Sequence, residues 1–329
     1  MGIIDIQKKI FQPPFDKLRG QLENLFLKDY ISGFYTMTDT DSEIAANSAT
    51  EPRPPSRALT PTGGYLTGFT YSLQPYIGCK FSCPYCYVQG LSVHRFHKPQ
   101  LPWGEYAHPR IGIGDLLGKE LARHYKRQIQ NQLSIFMSSS TDPYQGLERR
   151  WKLSRTCLEA MVEYPPHFLM LQTRSPLVER DFDLLVKLED RVWLSITIET
   201  DSDDVRQIVT PRCPSIDRRF ETVRKAQEMG LNVQIAVSPC LPYSSVEAFA
   251  QRLVTHAQRI VIDTYASGDG QQGKRTARTQ IPKLYETQQW PRWDAEEAGQ
   301  ELYQWLRKSH EQHVGWSQQG FTALSRSAS

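Results

Sequence analysis

The feature that most constrains the fold is a regular alternation of short β-prone runs with helix-like stretches, which begins near residue 65. Consecutive parallel strands need crossover connections of this length, and such crossovers are right-handed. The alternation therefore predicts an α/β fold with a parallel sheet, either open and doubly wound or rolled into a partial barrel. The predicted strands are residues 68–73, 134–138, 168–174, 192–199, 233–238 and 259–264.

The stretches between these runs have the length and the end signals of helices. Ser244 or Ser245 is a typical N-cap, and Gly230 is a typical residue just beyond a helix C-terminus. The predicted helices are residues 113–130, 147–162, 181–188, 215–229 and 244–257.

Polar side chains alternate with aliphatic ones along three of the predicted strands. Side chains of a strand alternate between faces, so Ser195, Thr197 and Glu199 share one face and Ile196 and Ile198 the other. Strands covered on both sides by helices are nearly continuously aliphatic. The alternation favours a solvated or ligand-filled barrel interior, with an edge strand facing water as the alternative. The same split recurs at Gln234, Ala236 and Ser238, and at Gln172 and Arg174.

A compact C-x3-C-x2-C loop is the strongest chemical signal. Cys79, Cys83 and Cys86 can hold three corners of an iron-sulfur cube, whereas clusters used only for electron transfer normally have four Cys ligands. Three ligands leave one iron open for chemistry. The alternative is a zinc site completed by His94 or His97. The other three cysteines are scattered singly and are interpreted as small buried hydrophobic residues: Cys157, Cys213 and Cys240.

The spacing of this loop, with aromatic Tyr85 before and Tyr87 after the third cysteine, resembles the radical S-adenosylmethionine (SAM) superfamily. The resemblance implies a partial (β/α)6 TIM barrel whose cluster loop follows the first strand. It also implies a [4Fe-4S] cluster and S-adenosyl-L-methionine as cofactors, with a reductase, flavodoxin or ferredoxin as electron donor. The implied chemistry is reductive cleavage of SAM to a 5'-deoxyadenosyl radical, which abstracts hydrogen from a substrate.

Within that superfamily, residues 56–278 resemble the branch related to spore photoproduct lyase. The shared features are Tyr87, the segment 141–145 with Glu148 three residues later, and a basic residue at Arg174 that would contact the SAM carboxylate. For Asp142, a turn and helix cap is an equally good interpretation. The resemblance implies SAM contacts from Tyr85, Tyr87, Ser140, Asp142, Arg174, Ser195 and Glu199, and cluster ligation by Cys79, Cys83 and Cys86.

The substrate is where the chain departs from that branch. The lyase repairs thymine dimers in DNA with a cysteine near the second-strand loop as hydrogen donor, but this chain has no cysteine between Cys86 and Cys157, and Ser138 to Ser140 lie there instead. Basic stretches at 123–127 and 274–278 are modest for phosphate binding. Repair of DNA photoproducts is therefore kept as an alternative, beside a non-catalytic iron-sulfur or zinc-binding protein.

Composition is that of an ordinary globular protein. The 329 residues are 39% hydrophobic and 23% charged, with a net charge of +3. No run approaches the roughly 18 apolar residues of a membrane helix, and the first residues lack the apolar core of a signal peptide. A cytoplasmic location without a membrane partner is expected, which also suits cysteines that must stay reduced.

Three regions are predicted: an N-terminal extension and linker (1–60), the barrel (61–282) and a helical tail that caps it (283–329). A short helix is predicted within residues 1–30, and a linker or surface loop over residues 38–63, which reaches the start of the barrel region. The G-x-G-x-x-G pattern that begins at Gly268 does not open a helix, which a dinucleotide site requires. It is predicted to be a flexible loop over the barrel mouth that offers Asp269, Lys274, Arg275 and Arg278 to a substrate, and a solvated turn is an equally good interpretation.

Overall fold

The computed structural model describes residues 48–95 and 101–327. The helix predicted within residues 1–30, the first part of the predicted linker and His97 lie outside the described residues. The strands are β1 (Leu59–Pro61), β2 (Tyr71–Leu73), β3 (Tyr76–Gly78), β4 (Ala107–Pro109), β5 (Ser134–Met137), β6 (Phe168–Thr173), β7 (Val192–Thr197), β8 (Asn232–Val237), β9 (Arg259–Ile262) and β10 (Val314–Trp316).

The main sheet has the strand order β1-β2-β5-β6-β7-β8-β9-β10. All neighbours pair in parallel except β1, which runs antiparallel to β2 at one edge. β3 and β4 form a separate antiparallel pair. The strands from β2 to β9 in this order are the six predicted strands, so the fold is the expected α/β partial barrel.

The helices are α1 (Ser92–Arg95), α2 (Ile113–Lys126), α3 (Glu148–Trp151), α4 (Leu153–Glu163), α5 (Phe182–Leu185), α6 (Asp203–Val209), α7 (Ile216–Glu228), α8 (Val246–His256), α9 (Tyr265–Gly268), α10 (Ile281–Thr287), α11 (Glu297–His310) and α12 (Ser317–Ser327). Ser215 and Ser245 cap α7 and α8 through backbone N–H groups three residues later. The helix predicted over 147–162 is two helices, because Lys152 has a left-handed backbone (φ +50°). Among the described residues, no helix has the length and apolar character needed to cross a membrane.

The aliphatic strand faces pack under the helices, and the other faces point into the barrel. The lower interior is filled by Phe69, Phe136, Phe168 and Phe321. The polar strand faces were expected to be wet, but Ser195 is fully buried and accepts a hydrogen bond from Gln234 at 3.1 Å. Solvent therefore reaches the interior at the mouth, and the rest is packed with side chains.

The region predicted as a helical tail also supplies a strand. β10 pairs with β9 and extends the barrel by one parallel strand, and α12 follows it directly and brings Phe321 into the interior. A three-residue strand is too short for its periodicity to be recognised in the sequence.

Candidate active site at the barrel mouth

The carboxyl ends of the parallel strands surround a cleft with a cavity volume of about 180 Å³. In barrels of alternating strands and helices, catalytic and binding groups come from these ends. Five neighbouring strands, β5 to β9, each supply a polar residue at or just beyond the last strand position. These lining residues are Ser138, Arg174, Thr197, Ser238 and Asp263.

The three-cysteine loop forms another wall of the cleft. Cys79, Cys83 and Cys86 all line it, and all three are free thiols. Burial raises the pKa of Cys79 and raises that of Cys86 to about 11. A thiol binds a metal centre only after it loses its proton. Three free thiols that face one cleft supply the donor set of a group that takes thiolate ligands.

The backbone before this loop requires glycine. Gly78 has φ +89°, and a Cβ there would lie 2.5 Å from the Tyr106 ring and 2.6 Å from its carbonyl oxygen. The Gly78 carbonyl accepts hydrogen bonds from Thr141 and Gln145, and Gln145 accepts one from the Lys80 N–H at 2.9 Å. The cysteine loop is thus fastened to the loop after β5. Gln145, which lies in the predicted 141–145 segment, was not assigned this role from the sequence.

Asp142 is both a turn residue and part of the cleft wall. Its carboxylate accepts from the Tyr144 N–H (2.8 Å), the Thr173 hydroxyl (2.7 Å) and the Arg174 N–H (3.0 Å). Burial raises the pKa of this carboxyl group against these hydrogen bonds, which lower it. The bond to the Tyr144 N–H is the one expected of a turn residue. The bonds to Thr173 and Arg174 join the segment after β5 to the end of β6.

Arg174 is the centre of a buried network. Its Nη1 donates to the Tyr85 hydroxyl (2.7 Å) and the Glu199 carboxylate (2.6 Å), and lies 3.2 Å from Cys83 Sγ. Glu199 also pairs with Arg219, whose side chain is fully buried. Although burial raises the pKa of Glu199, the two guanidinium groups hold it below its ordinary value. Glu199 is therefore a charged anchor that fixes the cationic side chain beside the cysteines.

The structure brings most of the predicted cofactor contacts together, but not all. Ser195 lies deeper in the barrel, and Glu199 lies behind the wall that Arg174 and Tyr85 form. The ligand contacts predicted for these two residues stay predictions, and the geometry favours positioning roles for them. The predicted residues that line the cleft are Tyr85, Tyr87, Ser140, Asp142 and Arg174.

An acidic group in the cleft was missed from the sequence. Asp263 accepts from the Tyr65 hydroxyl at 2.8 Å and lies 3.4 Å from the Ser238 hydroxyl, and burial raises its pKa to about 7. Its place directly after β9 is the signal that could have identified it, because strand ends carry the site in this fold.

The loop that begins at Gly268 is not the open loop that the sequence predicted. The Asp269 carboxylate accepts backbone N–H bonds from Gln271, Gly273, Arg275 and Thr276. Asp269 therefore organises the loop and is not available to a substrate in the way expected, because its oxygens are already bonded. Lys274 and Arg278 are exposed but do not line the cleft, so the substrate contacts predicted for them stay predictions.

His94, one of the two residues considered as a zinc ligand, is engaged elsewhere. Its ring stacks on Tyr106 (5.8 Å between centroids), and its Nδ1 lies 2.9 Å from the Tyr106 hydroxyl. In the described part of the chain, no three His, Cys, Asp or Glu side chains are grouped as one metal ion requires. A cluster differs in this respect, because it distributes its thiolates over separate irons.

The fold and the site together define the class of protein: a parallel α/β partial barrel with a three-cysteine loop at its mouth. The family model of the radical SAM superfamily matches residues 73–253, which is more than half of the chain. The chain belongs to this superfamily.

The chain is also similar in sequence to uncharacterised proteins. The chain is 36% identical over 176 residues to an uncharacterised protein of Acidianus two-tailed virus, and 28% identical over 178 residues to one of Methanocaldococcus jannaschii. The matched regions span 52% and 54% of this chain, and only 56% and 62% of those proteins.

Among solved structures, a variant of spore photoproduct lyase superposes with a TM-score of 0.56 at 15% identity, over 90% of this chain and 93% of that one. The lyase in complex with a dinucleoside spore photoproduct gives a TM-score of 0.56 at 16% identity, over 91% and 94%. At such identities the likeness shows the fold.

Proposed function

We propose that this protein is a radical SAM enzyme that binds a [4Fe-4S] cluster through Cys79, Cys83 and Cys86 and cleaves SAM reductively in order to abstract hydrogen from a substrate. The observation that carries the proposal is the convergence of these three thiols, of which Cys79 and Cys83 are buried and Cys86 is half-buried, and of the Arg174 guanidinium on one cleft at the strand ends. When bound, the cluster supplies an open iron for SAM and the electron that breaks its sulfonium bond. An external reductase, flavodoxin or ferredoxin would deliver that electron.

The chain's own residues would bind and orient SAM. In the described part of the chain, the Arg174 guanidinium donates its hydrogen bonds to Cys83, Tyr85 and Glu199 through Nη1. Its Nε and Nη2 edge therefore suits the SAM carboxylate, in the bidentate geometry that arginine favours. Glu199 and Tyr85 hold the guanidinium in that position. The Tyr87 hydroxyl donates a hydrogen bond to the Ser139 carbonyl at 2.7 Å. This bond fixes the position of the Tyr87 ring next to the third cysteine.

Packing around the cysteine loop would exclude water. Cys83 and Tyr85 pack with Leu241, Tyr265 and Tyr285 in one apolar cluster. Trp290 and Trp293 from the C-terminal region cover the same cluster. An apolar surround protects a reactive radical from side reactions, which is the main contribution of protein to cofactor chemistry of this kind.

The lyase-type repair of DNA photoproducts is the less favoured function. Ser138, Ser139 and Ser140 follow β5 and line the cleft where that chemistry would need a cysteine. The described residues do not place a thiol other than Cys79, Cys83 and Cys86 along this cleft. The substrate is therefore proposed to be a different molecule.

Two measurements on anaerobically reconstituted protein test the proposal. Wild-type protein should hold about four irons per chain and, with dithionite and SAM, release methionine and 5'-deoxyadenosine. Substitution of each ligand, as in Cys83→Ala, should abolish cluster loading, whereas Cys157→Ala, a buried cysteine behind the barrel wall, should load normally. Full iron in Cys83→Ala, or zinc in place of iron in the wild type, would overturn the ligand assignment.

A further inference from the structure

A buried carboxylate without a cationic partner lines the cleft. Asp263 follows β9 and is only 3% exposed. Its Oδ2 accepts hydrogen bonds from the Tyr65 hydroxyl at 2.8 Å and the Ser238 hydroxyl at 3.4 Å, and its Oδ1 accepts one from the Thr264 N–H at 3.0 Å. These donors are neutral, and no Lys, Arg or His of the described residues forms an ion pair with it. The carboxylate therefore lacks a counter-charge, which a ligand in the cleft can supply.

The position of this carboxylate is fixed by the backbone around it. The Asp263 N–H donates to the Val237 carbonyl at 2.9 Å, and the Asp263 carbonyl accepts from the Cys240 N–H at 2.7 Å. Gly268, which also lines the cleft, lies so close that a Cβ there would be 2.3 Å from Asp263 Oδ2. The carboxylate is therefore held at the cleft wall.

Aromatic rings form the cleft wall beside Asp263. Tyr65 and Phe321 both line the cleft, with 6.4 Å between their ring centroids, and Tyr265 lines it two residues after Asp263. The face of an aromatic ring attracts a cation, and it does so more strongly where water is excluded. A carboxylate beside such rings suits an organic cation.

Other polar atoms of the cleft wall also need a hydrogen-bond donor. Gln172 Oε1 and Ser138 Oγ are buried and have no hydrogen-bond partner among the described residues, and both residues line the cleft. An amide oxygen can only accept a hydrogen bond. Arg174 is the only cationic residue among the described residues that line the cleft, and its Nη1 is already bonded to Tyr85 and Glu199. The rest of the cleft therefore suits a ligand that brings N–H donors and positive charge.

Asp263 is separated from the residue proposed to hold SAM. Arg174 follows β6, and β7 and β8 lie between β6 and β9 in the sheet. Three strand spacings correspond to roughly 14 Å along the sheet. Asp263 therefore belongs to the side of the cleft away from the proposed position of the SAM carboxylate, where a second molecule would bind.

We propose that Asp263 binds the ammonium group of the substrate, and that the substrate is a small organic amine. The inference rests on the proposed function, because it takes this cleft as the place where hydrogen is abstracted. The cavity of about 180 Å³ has the size for a small molecule. Tyr65 and Ser238 keep the carboxylate in position, and the rings beside it cover the bound cation.

The test is calorimetric titration of the anaerobically reconstituted protein with benzylammonium, in the presence of SAM and without a reductant. Benzyl alcohol is the neutral probe of the same shape. Burial raises the pKa of Asp263 to about 7, so the titration is done at pH 8, where the carboxyl group is ionised. Iron per chain is measured for every protein.

Three variants are compared with the wild type. Asp263→Asn removes the charge. Gly268→Ala keeps the charge but displaces the carboxylate, so it tests the same contact if Asp263→Asn does not fold. Asp204→Asn is the matched control, because Asp204 is an exposed aspartate of α6 that does not line the cleft.

We expect Asp263→Asn to bind benzylammonium about tenfold more weakly than the wild type, which corresponds to about 1.4 kcal/mol. Gly268→Ala should bind it several-fold more weakly, and Asp204→Asn should bind it as the wild type does. Benzyl alcohol should bind the wild type and Asp263→Asn equally, which would show that the cavity is intact.

Two results would overturn the proposal while leaving the cluster assignment intact. One is an iron-loaded wild type that does not bind benzylammonium, and the other is equal affinity of the wild type and Asp263→Asn, or of the wild type and Gly268→Ala, for this probe. A wild-type protein without iron would instead refute the proposed function.

Discussion

Replacing Glu199 with glutamine tests the buried charge network that holds Arg174. Glu199 is 1% exposed and pairs with Arg174 at 2.6 Å and with the fully buried Arg219. Removing one partner of a buried ion pair typically costs about 3–5 kcal/mol, because the remaining charge is left uncompensated. Here two guanidinium groups would lose their counter-charge. Arg219 keeps the Thr197 and Pro214 carbonyls, so we expect the lower end, about 3 kcal/mol.

The measurement is the free energy of unfolding from urea titrations followed by circular dichroism. A loss of about 3 kcal/mol is a large share of the 5–15 kcal/mol typical of native proteins. Glu221→Gln is the matched control, because Glu221 pairs with Arg224 on an exposed helix face and such pairs contribute about 0–1 kcal/mol. If Glu199→Gln lost no more stability than Glu221→Gln, the reasoning from burial would be refuted.

The pH dependence gives a second check on the same pair. The two guanidinium groups hold the pKa of Glu199 below its ordinary value although burial raises it. Because the folded-state pKa is depressed, the stabilisation is fully present above the unfolded-state pKa of about 4.3 and is lost as the pH falls through the folded-state value. The stability difference between wild type and Glu199→Gln should therefore narrow below about pH 4.

Three further outcomes are expected. Gly78→Ala should lower iron loading by more than half, because its Cβ would lie 2.5 Å from the Tyr106 ring. Gly90→Ala is the control and should load iron as the wild type does, because the space around Gly90 is open. Normal iron loading of both variants would contradict the loop geometry. Arg174→Lys should keep its iron but bind SAM about tenfold more weakly in equilibrium dialysis, because lysine cannot make a bidentate contact. An unchanged affinity for SAM would show that Arg174 does not contact SAM. Burial raises the pKa of Asp263 to about 7. The wild type should therefore lose stability as the pH rises from about 4 to 7, and Asp263→Asn should not. Parallel stability curves of the two proteins from about pH 4 to 8 would refute this.

Much of the fold was predictable because it rests on local patterns. The alternation of strands and helices identified the six central strands, and caps such as Ser215 and Ser245 are read from neighbouring residues. β1 and β10 were missed because three-residue strands form through pairing with distant partners and carry no periodicity of their own. The strand face that carries Ser195 was predicted to be solvated or ligand-filled, but Ser195 is buried and its polar partner Gln234 lies on the next strand.

The site was predictable where one short segment carries the chemistry, as in the cysteine loop. It was not predictable where contacts join distant segments. Cys83 contacts Arg174 across 91 positions of sequence, and Asp263 contacts Tyr65 across 198. A single cysteine or aspartate has no local pattern that announces such a partner, and only the folded sheet brings these side chains together.

The central claim is that SAM binds at a cluster held by Cys79, Cys83 and Cys86. Electron paramagnetic resonance of the anaerobic, dithionite-reduced protein, recorded with and without SAM, tests it most directly. The account predicts the signal of a reduced [4Fe-4S] cluster that changes when SAM is added, because SAM would occupy the open iron. A cluster signal that is indifferent to SAM would indicate an electron carrier, and a protein without iron would contradict the account altogether.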